Sequence, residues 1–243
     1  MSNRTKTVGF DRTVHLEWLN YVANLSIQGL SNTEININLE EYLTPFIAGK
    51  EARRKTRTVL MALWAEPDKN INSFREYAKL LFRQCSRDEY LILHWGLSLA
   101  VYPFFGTVAT TIGRLFRLQG DVACIQVRRR IVEKLGERET VTRAVQRLFR
   151  SFENWHVLDE SSDGSFRIGS KRAIQKNDLA IFLIEAVLRT NQTKSGALRT
   201  LIESPCLFPF QLSQPNMLAL GDTDRIEIIQ QGPNDTQIIL ADH

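Results

Sequence analysis

Residues Thr140–Trp155 read TVTRAVQRLFRSFENW. Val141, Ala144, Val145, Leu148, Phe149, Phe152 and Trp155 recur at steps of three and four, the spacing of one apolar stripe on an α-helix. With that stripe turned inward, Thr142, Arg143, Gln146, Arg147 and Arg150 remain outside. All five can donate to phosphate oxygens, and Arg and Gln also make paired contacts with base edges in a DNA major groove. A second amphipathic segment, Cys124–Leu135, comes just before. Its expected core positions are Ile125, Val127, Ile131, Val132 and Leu135, with Arg128, Arg129, Arg130 and Lys134 facing out. Gly136 ends that segment, the turn to Glu139 is short, and the Thr140 hydroxyl is positioned to cap the next helix. Two helices joined so closely have the outline of a helix-turn-helix.

After Trp155 the period changes from 3.6 to two. His156–Asp159 is followed by Ser161-Ser162-Asp163-Gly164, and Phe166 and Ile168 then alternate with Ser165 and Arg167. Asp-Gly between two such runs signals a β-hairpin. The hairpin is the expected wing, and Arg167, Lys171 and Arg172 put positive charge at its end. The plainer alternative is an ordinary helix pair followed by a hairpin, and winged helices also serve as protein-docking modules.

Charge placement agrees with the nucleic-acid reading. The chain has 243 residues and a net charge of +4. Residues 201–243 hold one base, Arg225, against six acids and carry −5, which leaves +9 on residues 1–200. Residues 114–150 carry ten bases and four acids, enough local charge to steer a polyanion at low salt. Cys85, Cys124 and Cys206 are scattered without metal-ligand spacing and are read as reduced thiols in a cytoplasmic protein. The polar start, MSNRTKTVGFDR, lacks the apolar core of a signal peptide, and residues 1–12 are read as loose. Tyr90–Gly113 has no formal charge over 24 residues, but Pro103-Phe104-Phe105-Gly106 interrupts it, so two buried helices are expected there and no membrane span.

A helix over about Val14–Leu30 opens the N-terminal half. Capping boxes at Ser31–Glu34, Ser73–Glu76 and Ser86–Glu89 then start further helices, and Gly49–Trp64 forms another. That last helix begins with a second basic patch, Lys50, Arg53, Arg54, Lys55 and Arg57, read first as a solvated face partly offset by Glu51. Its functional alternative is a second phosphate-contacting surface beside the winged helix, and RNA binding by the helical half is a third possibility. Beyond Gly169 a helix over Asp178–Leu188 is expected. Prolines at 205, 209 and 215 follow, and then an exposed acidic hairpin from the runs Arg225–Gln230 and Thr236–Leu240. The expected fold is mainly α: a helical domain (1–103), a winged helix-turn-helix (104–175) and a C-terminal helix with an acidic β-hairpin (176–243).

No catalytic motif emerges, and His15, His94, His156 and His243 have no partner at metal-ligand spacing. No cofactor or metal is expected, and His94 reads as a core histidine. The layout, with its basic turn at Gly49–Arg57 and the run from Arg138-Glu139-Thr140-Val141-Thr142-Arg143 to Trp155-His156-Val157-Leu158, resembles the BrxA-type accessory proteins of BREX phage-defence systems. The resemblance spans about residues 14–170, and this chain adds a C-terminal helix and acidic hairpin. It implies a non-enzymatic protein that binds duplex DNA beside other subunits of a defence complex, and it carries over no catalytic residue. A protein-interaction scaffold is the second expectation, and self-association stays open.

Overall fold

The Thr140–Trp155 stripe closes over an aromatic cluster. In the computed structural model, which describes residues 8–213, 223–232 and 235–241, the Phe152 ring centroid lies 5.0 Å from Trp95, 5.4 Å from Phe105 and 5.6 Å from Trp155. All four side chains are excluded from solvent. Each large apolar group so buried contributes roughly 1.5–3 kcal/mol.

The helices run in order as α1 (Leu16–Ile27), α2 (Asn32–Leu43), α3 (Lys50–Trp64), α4 (Asn72–Gln84), α5 (Tyr90–Val101) and α6 (Pro103–Gln119). A two-residue strand β1 (Val122–Ala123) leads into α7 (Cys124–Leu135) and α8 (Glu139–Asn154), and strands β2 (Leu158–Glu160), β3 (Ser165–Ile168) and β4 (Arg172–Ile174) follow. Then come α9 (Asn177–Asn191), β5 (Ser195–Ala197), α10 (Leu198–Ile202), β6 (Phe210–Leu212), β7 (Ile226–Gly232) and β8 (Asp235–Leu240). The fold is mainly α with three small sheets: β1-β3-β2 antiparallel, β4-β6 parallel and β5-β8-β7 antiparallel. One continuous hydrophobic cluster runs through all three expected segments.

Local chemistry explains most boundaries. At Ser31 the expected box forms, the Glu34 carboxylate accepting from the Ser31 amide at 2.8 Å, and a second box stands at Ser86. The box expected at Ser73 does not form, because α4 begins one residue earlier, at Asn72, after a turn in which the Asp68 amide donates to the Asn72 side chain. Arg75 is instead buried, donating to the Leu63 and Ala62 carbonyls at 2.9 Å and so completing the C-terminal turn of α3. Thr140 caps nothing, since α8 starts at Glu139 with no side-chain cap. The apolar stretch around Pro103 is two helices, Arg87–Val101 (α5 with the 3-10 turn before it) and α6, bent by 115°, and no single helix among the described residues is long and apolar enough to cross a membrane.

Two expectations are corrected by packing. Of residues 1–12, expected to be loose, 1–7 lie outside the described residues and 8–12 are packed: Phe10 is fully buried, edge-on against Tyr102 at 5.3 Å, and Val14 just beyond is buried too. Nor does the C-terminal hairpin stand free. Ile226 and Ile238 are buried, β8 pairs with β5, and Arg225 grips the buried Glu185 of α9 by donating from Nε and Nη2 at 2.7 and 2.8 Å. The turn between β7 and β8, the tail's Asp222 and Asp242 and the third of the prolines, Pro215, lie outside the described residues.

Candidate nucleic-acid interface

Helix α8 has three surroundings. Its apolar stripe, Val141 to Phe152, is in the core, as the spacing required. One flank is covered by the N-terminal strap: Ser151 Oγ accepts from the Val14 amide at 2.9 Å, Asn154 Oδ1 from the Leu16 amide at 2.8 Å, and Trp155 Nε1 donates to the Val14 carbonyl at 2.9 Å. Arg147 lies on this flank. It is half-buried and donates to the Asp11 carbonyl, and burial, with Arg12 and Arg143 close by, holds its pKa below the usual arginine value. Its expected place in a major groove is therefore corrected to that of a clasp for the strap.

The third side faces solvent with Arg143, Gln146 and Arg150, and with Thr142 half-exposed at its edge. Arg143 pairs with Glu139 one turn earlier. Arg150 reaches Glu153 at 2.9 Å and Glu160 of β2 at 3.3 Å, and the bond to Glu153 raises its pKa. Two of these three carboxylates stand at helical spacing from their arginines, Glu139 at i,i+4 and Glu153 at i,i+3, while Glu160 comes from the hairpin.

On α7, Arg128 is half-exposed and Arg129 and Arg130 are exposed. Only Arg129 has a carboxylate near it among the described residues, Glu133 at 3.5 Å. Ile125, expected in the core, is 55% exposed because Val127 and Ile131 define the inward face.

The hairpin forms where Asp163-Gly164 was read as a turn. Gly164 takes a left-handed φ of +77°, the Asp163 carboxylate accepts from the Ser165 amide, and Leu158 pairs with Ile168. The rings of Phe149 and Phe166, 4.9 Å apart, fix this hairpin to α8. Arg167 is exposed opposite Asp159, and Lys171 is exposed just beyond. Arg172 departs from expectation. It begins β4, is half-buried with Nη1 shielded and unpartnered, and burial lowers its pKa, so it belongs to the parallel β4-β6 pair and not to the hairpin's end.

The second basic patch is largely neutralised at home. Arg53 and Arg57 both reach Glu40, at 2.8 and 3.1 Å, while Arg54 and Lys55 pair with Glu51. Lys50 alone has no carboxylate within bonding distance among the described residues. Among those residues no group of three or more His, Cys, Asp or Glu side chains could hold a metal. Cys85, Cys124 and Cys206 are unpaired, and burial pushes each thiol up to about 11.

Comparison with models of known families, with curated proteins and with solved structures returned no match to the chain.

Proposed function

We propose that α6, β1, α7, α8, β2 and β3 form a winged helix-turn-helix that binds duplex DNA, with Arg143, Gln146 and Arg150 of α8 entering the major groove. Arg128, Arg129, Arg130, Arg167 and Lys171 then contact phosphates. The observation that carries this reading is the strand order β1-β3-β2 beside a short-turned helix pair, with the solvent side of its second helix rich in guanidinium groups. A non-enzymatic accessory role in a bacterial cytoplasmic phage-defence system of the BREX type rests on the sequence resemblance alone.

Magnitudes favour DNA over the internal ion pairs of α8. Exposed pairs such as Arg143–Glu139 contribute about 0.3–0.5 kcal/mol, so exchanging one for a phosphate costs little. The test is anisotropy of a labelled duplex between about 50 and 200 mM salt, where neutralising about five phosphates gives a log–log slope of roughly −4 to −5. Arg143→Glu with Arg130→Glu should weaken binding without changing the melting temperature, since both side chains lie off the core. Salt-independent binding, or none, overturns the reading.

A protein-docking role is the second reading, and one feature favours it: Leu118 at the end of α6 and Ile125 at the start of α7 are 75% and 55% exposed. RNA binding by the helical half has less support, because the Arg53–Arg57 cations are already paired.

A further inference from the structure

Apart from the α8 surface, two unpaired cations meet at a cleft. Arg114 of α6 and Lys134 of α7 both line a cavity of about 400 Å³ whose third wall is the C-terminal end of α9. Neither cation has a carboxylate partner among the described residues. Both are exposed, so their charges cost nothing to hold there and are available to an incoming group. The cleft floor includes the buried Phe104, and its rim carries the Thr110 hydroxyl and the Asn191 and Gln192 amides, none with a hydrogen-bond partner among the described residues. Gln192 occupies a left-handed conformation, φ +55°, at the end of α9, where glycine or asparagine is the easier residue. Gln192 is one of the residues lining the cleft.

We propose that this cleft binds a small phosphorylated ligand of the mononucleotide class. Two cations lining one cleft match one or two phosphates, and Arg in particular offers a planar fork to phosphate oxygens. An apolar floor rimmed by amides suits a flat heterocycle with donors and acceptors at its edge, and the volume lies in the range of small-ligand sites. Lys134 shares α7 with Arg128, Arg129 and Arg130, so an occupant bridging α6, α7 and α9 also bears on the surface assigned to DNA. This last consequence rests on the proposed function; ligand binding itself does not.

Isothermal titration of the full chain with AMP, ADP and ATP, beside inorganic phosphate and pyrophosphate, tests the site. Saturable binding of at least one nucleotide, tighter than either inorganic anion, is expected. Arg114→Gln and Lys134→Gln should each weaken it about ten-fold, ~1.4 kcal/mol, while Arg129→Gln leaves it unchanged and all three variants keep the wild-type melting temperature. Absence of saturable nucleotide binding, or binding indifferent to Arg114→Gln and Lys134→Gln together, overturns the proposal. Nucleotide displaced by duplex DNA in proportion to DNA bound also overturns it, since the cleft is then part of the DNA backbone path. DNA binding is scored separately through Arg143 and Arg130, neither of which lines the cleft, so failure of one claim leaves the other standing.

Discussion

Acid should unfold this protein early, and His94 is the reason. The ring is fully buried on α5, where Trp64 Nε1 donates to its Nδ1 at 3.1 Å and its Nε2 donates to Asn20 Oδ1 at 2.9 Å. Both nitrogens are thus used by the neutral ring, and a second proton would face the indole N–H. Phe82 also packs against it, at 6.0 Å, and burial alone brings its pKa down from 6.5 to about 3. Because the folded value is depressed, the unfolded chain binds the extra proton over this window, and stability falls as pH drops below 6.5 until the folded ring itself titrates. Between about pH 7.5 and about pH 5 the loss amounts to roughly 2 kcal/mol, rising to on the order of 5 kcal/mol near pH 3. Urea unfolding of the wild type and of His94→Gln at both pH values isolates the effect. His15, whose pKa burial also lowers, is common to both proteins and cancels. The wild type should lose roughly 2 kcal/mol more than the variant on acidification; equal losses would falsify the neutral, desolvated assignment of His94.

Three further outcomes are expected. Glu185→Gln leaves Arg189 and Arg225 without a counter-charge in a buried site and should cost about 3–5 kcal/mol in urea unfolding, with hydrogen exchange rising first in β7 and β8; a loss under about 1 kcal/mol would mean the pair is solvated. Gly113→Ala should destabilise the protein or shift α6, since its Cβ would sit 1.9 Å from the Pro205 carbonyl oxygen, and an unchanged melting temperature would contradict that close approach. Glu139→Gln, Glu153→Gln and Glu160→Gln together should tighten DNA binding severalfold in anisotropy at low salt, by freeing Arg143 and Arg150; unchanged or weaker binding counts against α8 as the DNA face.

What could be read from the sequence follows the range of the interactions involved. The α8 stripe, the Asp163-Gly164 turn and the boxes at Ser31 and Ser86 are local, each decided within a few residues, and each forms. At Ser73 the same local rule misleads, because a competing turn at Asp68–Asn72 starts the helix earlier. The strap is decided by partners more than 130 residues away, and in its sequence only Val8, Phe10 and Val14 hint at burial. Glu185 stands inside an apolar run, and its neighbour Arg189 was visible at i,i+4, but Arg225 comes from 40 residues further on. Strands β1, β4 and β6 are two or three residues long, too short to show a period. On the interface, residue type and helical face could be read for Arg143, Gln146 and Arg150, and Glu139 and Glu153 stand at helical spacing from their arginines, whereas the contact from Glu160 and the covering of Arg147 could not be read.

The strap also changes where attraction for a polyanion must come from. It half-buries Arg147, and Glu139, Glu153 and Glu160 offset the two arginines that remain fully outward on α8. Long-range pull therefore falls to α7, where Arg128 and Arg130 have no carboxylate partner among the described residues, and to Arg167 and Lys171 beyond it. Under the proposed DNA binding, encounter depends on α7 and the hairpin, while α8 engages only when its weak ion pairs open against phosphates or base edges. A helix that must exchange partners to bind will discriminate by what replaces Glu139 and Glu153, since a badly placed phosphate leaves both guanidinium groups where they already are. In the docking alternative the same pairs stay closed, and Leu118 and Ile125 provide the contact, so the two readings differ in whether Arg143 and Arg150 move at all.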